Sequence, residues 1–388
     1  MRVTAVSTTV VNARMRNWVF VRVETDQPGL SGLGEATVEW QTRAVVGAVD
    51  DLAPLVVGED PRRIEHLWQS MYRHPFFKGG VVTMSALSGI DQALWDIKAK
   101  ELGVPLYQLL GGAVRDRVRM YDHLGGGASD AVYNDAAAGS FAERAAESRE
   151  AGFTAVKILA VPRTAPLDGH AGLRQAESLM RAAREGAGDD MDVMVDLHGR
   201  TSAAMAIQYG QVLRPYRPWF LEEPCQPEHP GAIAEVARAL PGIPIAAGER
   251  LLHRTEFLPL LQQHAIAVAQ PDVCHAGGIS ELRRIAALCE AFDVPVAPHN
   301  PLGPIATMVN VHLAFATPNF LVQEVMRADV PWRDDVVQGV PEIVAGHIAL
   351  PTEPGIGVDI DELVADKHPF EPSPHTRWQH DDGSVADW

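Results

Sequence analysis

The sequence predicts an α/β protein in which a closed barrel of parallel strands follows a smaller α+β domain. From residue 118 onward, candidate strands alternate with helices at a nearly constant step, which is typical of βα units. Six successive strands end in a polar residue, and these ends lie roughly 25 residues apart, the length of one strand, one helix and two short loops. The chain has 388 residues, enough for a barrel of about 250 residues and a smaller partner.

The first predicted domain covers residues 1–113. Two segments near its start alternate between apolar and polar side chains and are predicted strands, and a glycine-rich link leads from them to Glu35. Amphipathic and then strongly apolar helical patterns follow, so we expect a three-stranded antiparallel α+β domain. The predicted strands include 3–11 and 18–24, and the predicted helices span 43–55, 64–72, 85–102 and 105–110.

The second predicted domain, 114–330, is the barrel. Equivalent ends of its parallel strands meet on one face, so we expect the functional site at the C-terminal mouth. An open doubly wound sheet is the alternative, but its usual G-x-G-x-x-G turn does not open any predicted helix. Residues 331–388 lose the βα period and are predicted to return along the first domain. The predicted strands are 118–124, 155–159, 193–196, 219–222, 243–249, 268–272, 296–299 and 320–324.

Composition excludes several classes of function. The chain is 46% hydrophobic and 21% charged, as globular proteins are, and its net charge of −17 argues against nucleic acid or an anionic membrane surface as a partner. It has no apolar run of about 18 residues and no signal-like start. The three cysteines are too few and odd in number for a disulfide scaffold, which favours a reducing cytoplasm.

Three of the strand ends predict a metal site. Asp196, Glu222 and Glu249 end successive strands, so their carboxylates should converge at the barrel mouth. Like charges this close would raise one another's pKa and destabilise the fold unless a cation lies between them. Because all the ligands are oxygens, a hard ion is expected, with Mg²⁺ first and Mn²⁺ second.

Several motifs then identify a family resemblance. They are similar to those of the enolase superfamily, in its mandelate racemase/muconate lactonizing enzyme branch, and within it to dehydratases of acid sugars such as D-galactonate. The resemblance implies a modified (β/α)₇β barrel with an N-terminal capping domain, Mg²⁺ on the three carboxylates, removal of a proton alpha to a carboxylate, and a homo-oligomer. The motifs are G-L-G-E (32–35), S-G-I-D-Q-A-L-W-D-I (88–97), D-L-H-G-R (196–200), L-E-E-P (221–224), A-A-G-E-R (246–250) and P-H-N-P-L-G-P (298–304).

The remaining strand ends supply candidates for proton transfer. His299 is the predicted base, and Asp272 on the adjacent strand end would bond its other ring nitrogen. His198 lies two residues beyond Asp196, on the same face of the strand, and is the predicted acid for a departing hydroxyl. It could instead only support the metal site. Glu324 would face the substrate carboxylate, or would be a buried glutamate paired with a cation.

One position separates elimination from racemisation. Family members that racemise often carry Lys-x-Lys on the second barrel strand, whereas Leu159 follows Lys157 here and cannot transfer a proton. We therefore expect a Mg²⁺-dependent dehydratase that converts D-galactonate or a related aldonate into a 2-keto-3-deoxy acid. An epimerase, a cycloisomerase and a non-catalytic member are the alternatives. Substrate binding is assigned to Arg16, Trp18, Lys157 and Asn300.

Overall fold

The computed structural model describes residues 1–125, 138–327, 329–372, 378–380 and 382–387. Its first domain is the predicted α+β unit, an antiparallel sheet in the order β1-β2-β3 covered by helices. The strands are β1 (Val3–Ala13), β2 (Arg16–Thr25) and β3 (Ser31–Glu35). The helices are α1 (Thr42–Leu52), continued by a 3₁₀ turn (Ala53–Leu55), α2 (Ile64–Arg73), α3 (Val81–Glu101) and α4 (Leu106–Leu109).

Helix α3 is buried over most of its length between its own sheet and the barrel. It lies so close to β3 that a side chain at Gly32 would overlap the carbonyl oxygen of Ala93. On the barrel side, Trp95 Nε1 donates to Ser280 Oγ at 2.9 Å and Gln92 Nε2 donates to Val273 O at 3.1 Å. These bonds seat the first domain on the barrel mouth.

The second domain is a parallel barrel whose strands pair in the order β10-β4-β5-β6-β7-β8-β9. The strands are β4 (Arg117–His123), β5 (Ala155–Ile158), β6 (Asp192–Asp196), β7 (Leu221–Glu222), β8 (Ile245–Ala247), β9 (Val268–Ala269) and β10 (Gln323–Val325). The helices are α5 (Ala138–Glu150), α6 (His170–Ala187), α7 (Ala203–Leu213), α8 (Pro230–Ala239), α9 (Arg254–Gln262), α10 (Gly278–Glu290) and α11 (Pro304–Ala316).

The predicted strand 296–299 is not a regular strand but still closes the ring. Val296 bridges in parallel to Ala269 on one side and to Phe320 on the other, between β9 and β10. Pro295 and Pro298 flank the position and lack the amide N–H that a full ladder needs. The ring therefore has eight parallel positions, and α5 to α11 follow the first seven. The predicted (β/α)₇β barrel is confirmed, and the open sheet is excluded.

The last segment returns to the first domain. His347–Ala349 (β12) pairs antiparallel with β4, and further along His368 O accepts from Asn12 N at 2.8 Å. Asn17 bonds the backbone of Glu371 through both its side-chain oxygen and nitrogen. The predicted boundaries at 113/114 and 330/331 remain predictions. The other elements are α12 (Arg333–Val336), β11 (Val337–Gln338), β13 (Asp359–Ile360) and α13 (Glu362–Ala365).

Among the described helices, none is both long and apolar enough to cross a membrane. The interior of the barrel is filled by a small cluster of buried apolar side chains, so the barrel is a packed core and its chemistry is confined to the mouth. The cluster contains Tyr121, Ala155, Met194, Phe220, Ala246, Val268, Ala297 and Val322.

A buried histidine links α4, α11 and the last segment. His312 Nδ1 accepts from Tyr107 N at 3.3 Å, so Nε2 carries the proton and donates to Ile356 O at 3.2 Å. Burial lowers the pKa of His312 to about 4, against the opposing effect of the Ile356 bond. The neutral ring therefore fits this site, and a protonated ring does not.

We expect the stability of the protein to fall in mild acid partly because of His312. The folded pKa lies below the unfolded value, so this stabilisation is complete above pH 6.5 and is lost as the pH falls toward 4. At pH 5 the loss is about 2 kcal/mol. His312→Gln keeps a neutral donor and acceptor at this position. Its free energy of unfolding, measured with denaturant, should therefore decline less between pH 7.5 and 5 than that of the unmodified protein. An equal decline in both proteins would contradict the assignment.

Candidate active site

Three carboxylates meet at the mouth of the barrel, as the sequence predicts. Asp196 and Glu222 are the last residues of β6 and β7, and Glu249 follows β8 by two residues. Each offers an oxygen that lies within 4.8 Å of the other two. Burial raises the pKa of Asp196 to about 6, with Glu249 adding to the rise and Lys157 opposing it. Burial likewise raises the pKa of Glu222 well above its usual range.

This group of oxygens fits a hard divalent cation. Glu222 is held by Lys157 Nζ at 2.6 Å and Gln270 Nε2 at 2.7 Å, so its orientation is set by its neighbours. Glu249 Oε2 is buried and accepts no hydrogen bond from the described residues. Its nearest charged group is His299 Nε2, at 3.6 Å. Removing an anionic oxygen from water without a hydrogen bond is costly, and a bound cation would reduce that cost. All-oxygen ligands favour Mg²⁺ over softer metals.

His299 and Asp272 form the predicted pair. Asp272 Oδ2 lies 2.7 Å from His299 Nδ1, and Asp272 Oδ1 accepts from Cys274 N at 2.6 Å. The other ring nitrogen, Nε2, is 3.6 Å from Glu249 Oε2. Burial alone would lower the pKa of His299, but Glu249, Asp272 and Glu324 together raise it to about 10. These negative charges keep the imidazole protonated at neutral pH while no cation lies among the carboxylates, and Asp272 orients the ring. A cation held by Glu249 would offset the largest of these charges and lower the pKa of His299.

His198 lies at the same mouth on a strained turn. Its φ of 57° is in the left-handed region, which is uncommon for a residue with a side chain. Its backbone N–H donates to Asp196 Oδ1 at 2.6 Å, so the turn is tied to a predicted metal ligand. Such strain is found at functional sites, where surrounding bonds hold a side chain in place.

Lys157 joins two strand ends rather than reaching into solution. Its ammonium is 2.6 Å from Glu222 Oε1 and 2.8 Å from Glu324 Oε1, and its side chain is 1% exposed. Burial would raise the pKa of Glu324, but Lys157 and His299 lower it to about 2. Glu324 also accepts from Asn300 N at 2.7 Å. The structure therefore gives Glu324 the alternative arrangement, an anionic glutamate paired with a cation.

A cavity of about 550 Å³ lies between the two domains, over the metal and histidine groups. Arg16 lines it as predicted, with its guanidinium 2.8 Å from Glu39 and donating to Pro301 O at 2.6 Å. The first domain contributes Met15, Arg16, Val38, Glu39, Trp40, Gln41 and Val81. The barrel contributes His123, Lys157, Leu159, Asp196, His198, Gln226, Glu249, Arg250, Leu252, His275, His299, Pro301 and Met326, and Asp387 reaches the cavity from the last segment.

Two predicted substrate-binding residues lie elsewhere. Trp18 is fully buried in the core, 5.5 Å below the guanidinium of Arg333, and does not line the cavity. The Asn300 side chain is also fully buried and donates to Thr307 Oγ1 at 2.8 Å, away from the cavity. Arg16 and Trp18 share one face of β2, but the guanidinium of Arg333 covers Trp18, and the turn after His299 directs Asn300 toward α11. The structure therefore places neither side chain in the lining of the cavity.

Several lining residues are absent from the sequence-based assignment of the site. His275 accepts or donates a bond with Ser85 Oγ at 2.8 Å and lies 3.8 Å from Asp272. Arg250 directly follows the predicted metal ligand Glu249 in A-A-G-E-R, so its position in the sequence could have identified it as a site residue. No sequence motif marks Glu39 in this way. Burial and Lys157 lower the pKa of His123 to about 3, so its ring is neutral beside Glu324.

The loop after β5 borders a different cavity. This second cavity, of about 710 Å³, lies between the loop 161–172 and the last segment, from which Gln379, His380, Asp382, Ser384 and Val385 line it. Arg163 donates to Gln379 O at 2.6 Å, which ties the loop to the end of the chain. Leu159 lines both cavities, so an apolar side chain stands between them at the position discussed for a second lysine.

Comparison with protein families identifies both domains. Residues 2–111 match the mandelate racemase/muconate lactonizing enzyme N-terminal domain, and residues 140–364 match the enolase C-terminal domain-like family. A D-galactonate dehydratase from Ralstonia nicotianae is 42% identical over 380 residues, or 96% of each chain. A D-galactonate dehydratase from Xanthomonas oryzae pv. oryzae is 41% identical over 381 residues, again 96% of each chain.

Solved structures have the same fold over the full length. A mandelate racemase/muconate lactonizing enzyme-like protein from Roseovarius sp. TM1035 superposes with a TM-score of 0.90 at 32% identity and covers 100% of both chains. An enolase from Agrobacterium radiobacter, named as a candidate galactarate dehydratase and bound to Na and L-malate, has a TM-score of 0.87 at 34% identity. It also covers 100% of both chains.

Proposed function

This chain belongs to the mandelate racemase/muconate lactonizing enzyme family of the enolase superfamily, and we propose that it dehydrates an acid sugar. The reaction removes the proton from the carbon next to a carboxylate and expels the hydroxyl on the following carbon as water. The enol product then becomes a 2-keto-3-deoxy acid. We propose D-galactonate or a related aldonate as substrate, since relatives of that name match 96% of the chain.

One observation carries this proposal. A single cavity is lined by a carboxylate-oriented imidazole, a second imidazole and two of the three metal-type carboxylates, with the third directly behind them. Elimination beta to a carboxylate requires a base for the carbon-bound proton, an acid for the hydroxyl and positive charge beside the carboxylate. The cavity holds a group for each of these three tasks.

We propose that Asp196, Glu222 and Glu249 hold Mg²⁺. The ion would supply positive charge beside the substrate carboxylate, where negative charge grows as the proton leaves. With the charge of Glu249 offset by the ion, the His299 ring can be neutral. Its Nε2 then takes that proton, because Nδ1 is engaged by Asp272 and the ring is fixed in one orientation. Lys157 keeps Glu324 ionised and holds it close to Glu222, which shapes the floor of the site.

His198 donates the proton that converts the departing hydroxyl into water. It lines the same cavity as His299, from a strand end four positions away around the eight-position ring and so on the opposite side of the mouth. An unprotonated hydroxyl would have to leave as hydroxide, which is a poor leaving group, so this proton transfer matters as much as removal of the first proton. After elimination, His299 holds the proton that left carbon 2.

The charges of the cavity favour an aldonate over a diacid. Its cations are each paired with an anion: Arg16 with Glu39, Lys157 with Glu222 and Glu324, and Arg250 with Glu223. A second substrate carboxylate would lose its hydration in this cavity, and no unpaired lysine or arginine among the described lining residues would compensate for that loss. Hydroxyl groups, in contrast, can bond Glu39 and Gln41 on the first domain.

An epimerase or cycloisomerase acting through the same intermediate is the second candidate. Leu159 occupies the place where a second proton-transfer lysine would stand, and it is 6% exposed against the cavity. A side chain without a titratable group cannot return a proton to the opposite face. This observation favours elimination. We also propose a cytoplasmic homo-oligomer; the buried, unpaired Cys225, Cys274 and Cys289 support the reducing compartment.

The test is a screen of acid sugars with Mg²⁺ that measures 2-keto acid formation. We expect aldonates of galacto configuration to react best and aldarates, including galactarate, to react more slowly. Release of an epimer without keto acid would favour the second candidate. No reaction with any aldonate or aldarate would refute the dehydratase.

We expect His198→Asn to separate the two proton transfers. Keto-acid formation should fall about 100- to 1,000-fold, because general acid catalysis is worth that much. Exchange of the carbon-2 proton with D₂O, which needs only His299, should continue. Proton NMR of the recovered substrate measures exchange, and an equal loss of both would show that His198 supports the metal site instead.

A further inference from the structure

The turn that carries His198 has an unusual backbone. His198 and Gly199 have φ angles of 57° and 65°, two consecutive residues in the left-handed region directly after a metal-type carboxylate. Gly199 N donates to Glu223 O at 2.8 Å, and Glu223 is itself left-handed, with φ of 41°. Two strained strand ends are therefore joined side by side, and something must stabilise both.

Arg250 supplies the contacts that join them. Its Nη2 donates to His198 O at 2.6 Å and lies 2.8 Å from Glu223 Oε2. Its Nη1 donates to Gln226 Oε1 at 3.1 Å. The guanidinium also lies flat against Gly199, where an added Cβ would be 3.1 Å from Nη1 and 3.2 Å from Nη2. One side chain thus connects the ends of β6, β7 and β8.

The geometry suits arginine and no other residue type. A planar guanidinium presents several donors in fixed directions, so it can bond a carbonyl and a carboxylate at once while stacking on a glycine. A lysine ammonium is a single point charge on a flexible chain. The left-handed turn leaves the His198 carbonyl pointing at Arg250, and the imidazole belongs to the cavity lining.

We propose that Arg250 is a positioning residue for His198. By holding the carbonyl of His198 and the carboxylate of Glu223, it keeps the turn left-handed and the imidazole directed at the departing hydroxyl. This inference rests on the proposed elimination, in which His198 is the acid. Two competing roles follow from its other contacts: Nε lies 3.9 Å from Glu249 Oε1, and the side chain also lines the cavity.

The test compares two leaving groups, hydroxyl and fluoride, at carbon 3 of the same aldonate skeleton. Fluoride departs without a proton, so a 3-deoxy-3-fluoro aldonate needs the base but not the acid. In Arg250→Met, loss of water from the hydroxy acid should fall about 100-fold, while fluoride release and carbon-2 exchange stay within about threefold of the unmodified enzyme. The dehydration rate of Arg250→Lys should lie between the rates of the unmodified enzyme and Arg250→Met. Arg217→Met, which removes an exposed arginine paired with Asp189, is the matched control.

A double-mutant cycle identifies the route of the effect. If Arg250 acts through His198, His198→Asn/Arg250→Met should dehydrate no more slowly than His198→Asn alone. Additive losses would mean that Arg250 contacts the substrate and would overturn the proposal. Equal losses for water and fluoride, with weaker Mg²⁺ binding by calorimetry, would assign Arg250 to the metal site and would also overturn it.

Failure of the proposed function gives a different result. If the unmodified enzyme releases neither water nor fluoride from any acid sugar, the dehydratase is refuted while Arg250 can still be tested. The ¹⁵N resonances of the His198 ring, assigned with His198→Asn, should shift and broaden in Arg250→Met but not in Arg217→Met. Unchanged resonances would overturn the positioning role on their own.

Discussion

Replacing His299 by asparagine is expected to lower kcat about 1,000- to 10,000-fold, the upper part of the range for loss of a general base. Asparagine can still bond Asp272, which accepts from the ring at 2.7 Å, so the orientation of that carboxylate should survive. The amide cannot accept a proton at neutral pH, so the first step of the reaction should stop. Both keto-acid formation and carbon-2 exchange in D₂O should disappear together.

This pattern differs from that of the predicted acid. His198→Asn should keep exchange and lose elimination, whereas His299→Asn should lose both. His312→Gln, assayed at pH 8 where its neutral ring is not challenged, is the control for replacing a buried imidazole and should keep full activity. If His299→Asn exchanged the proton at the unmodified rate, a different base would have to be sought. Besides His198, the described lining offers the imidazoles of His123 and His275.

Replacing Glu249 by glutamine is expected to weaken Mg²⁺ binding about 100-fold or more, since even residues behind the ligands change metal affinity 10- to 100-fold. Glu249 is the clearest of the three carboxylates to test. Its Oε2 accepts no hydrogen bond from the described residues, whereas Glu222 is held by Lys157 and Gln270. Isothermal titration with Mg²⁺ measures the effect directly, without an assay of the reaction.

Chelation should have the same consequence in the unmodified enzyme. Removing divalent ions is expected to abolish keto-acid formation, and Mg²⁺ should restore it, because the substrate carboxylate then regains a positive neighbour. Glu281→Gln is the matched control, a buried carboxylate held by Arg254 and Arg284 far from the cavity. Equal Mg²⁺ affinity in Glu249→Gln and the unmodified protein would remove Glu249 from the metal site.

Much of the site could be predicted because it follows from the period of the chain. Parallel strands of a barrel end on one face, so a polar residue at each strand end must approach its neighbours whatever the loops do. Asp196, Glu222 and Glu249 meet for this reason, and so do Asp272 and His299. The predicted strands near 243–249 and 268–272 were too long, but their ends were placed correctly because the mouth begins where the ladder stops.

The failures share a different cause. Whether Trp18 or Arg16 faces the cavity depends on how the first domain is seated on the barrel, and bonds such as that from Trp95 to Ser280, 185 residues apart, decide it. The sequence allowed two roles for Glu324, contact with the substrate or pairing with a cation. The buried ammonium of Lys157, 2.8 Å from Glu324 Oε1, favours the second. Local patterns carry no information about such distant partners.

The amino-acid sequence by itself determined the barrel, the three carboxylates and the paired His299 and Asp272, because a two-residue strand alternation and a βα repeat act over short distances. Tertiary structure alone decided the lining of the cavity, the ion pair of Lys157 with Glu324, and the hold of Arg250 on the turn of His198. Those contacts join residues from different strand ends and different domains, and their geometry exists only once the ring is closed.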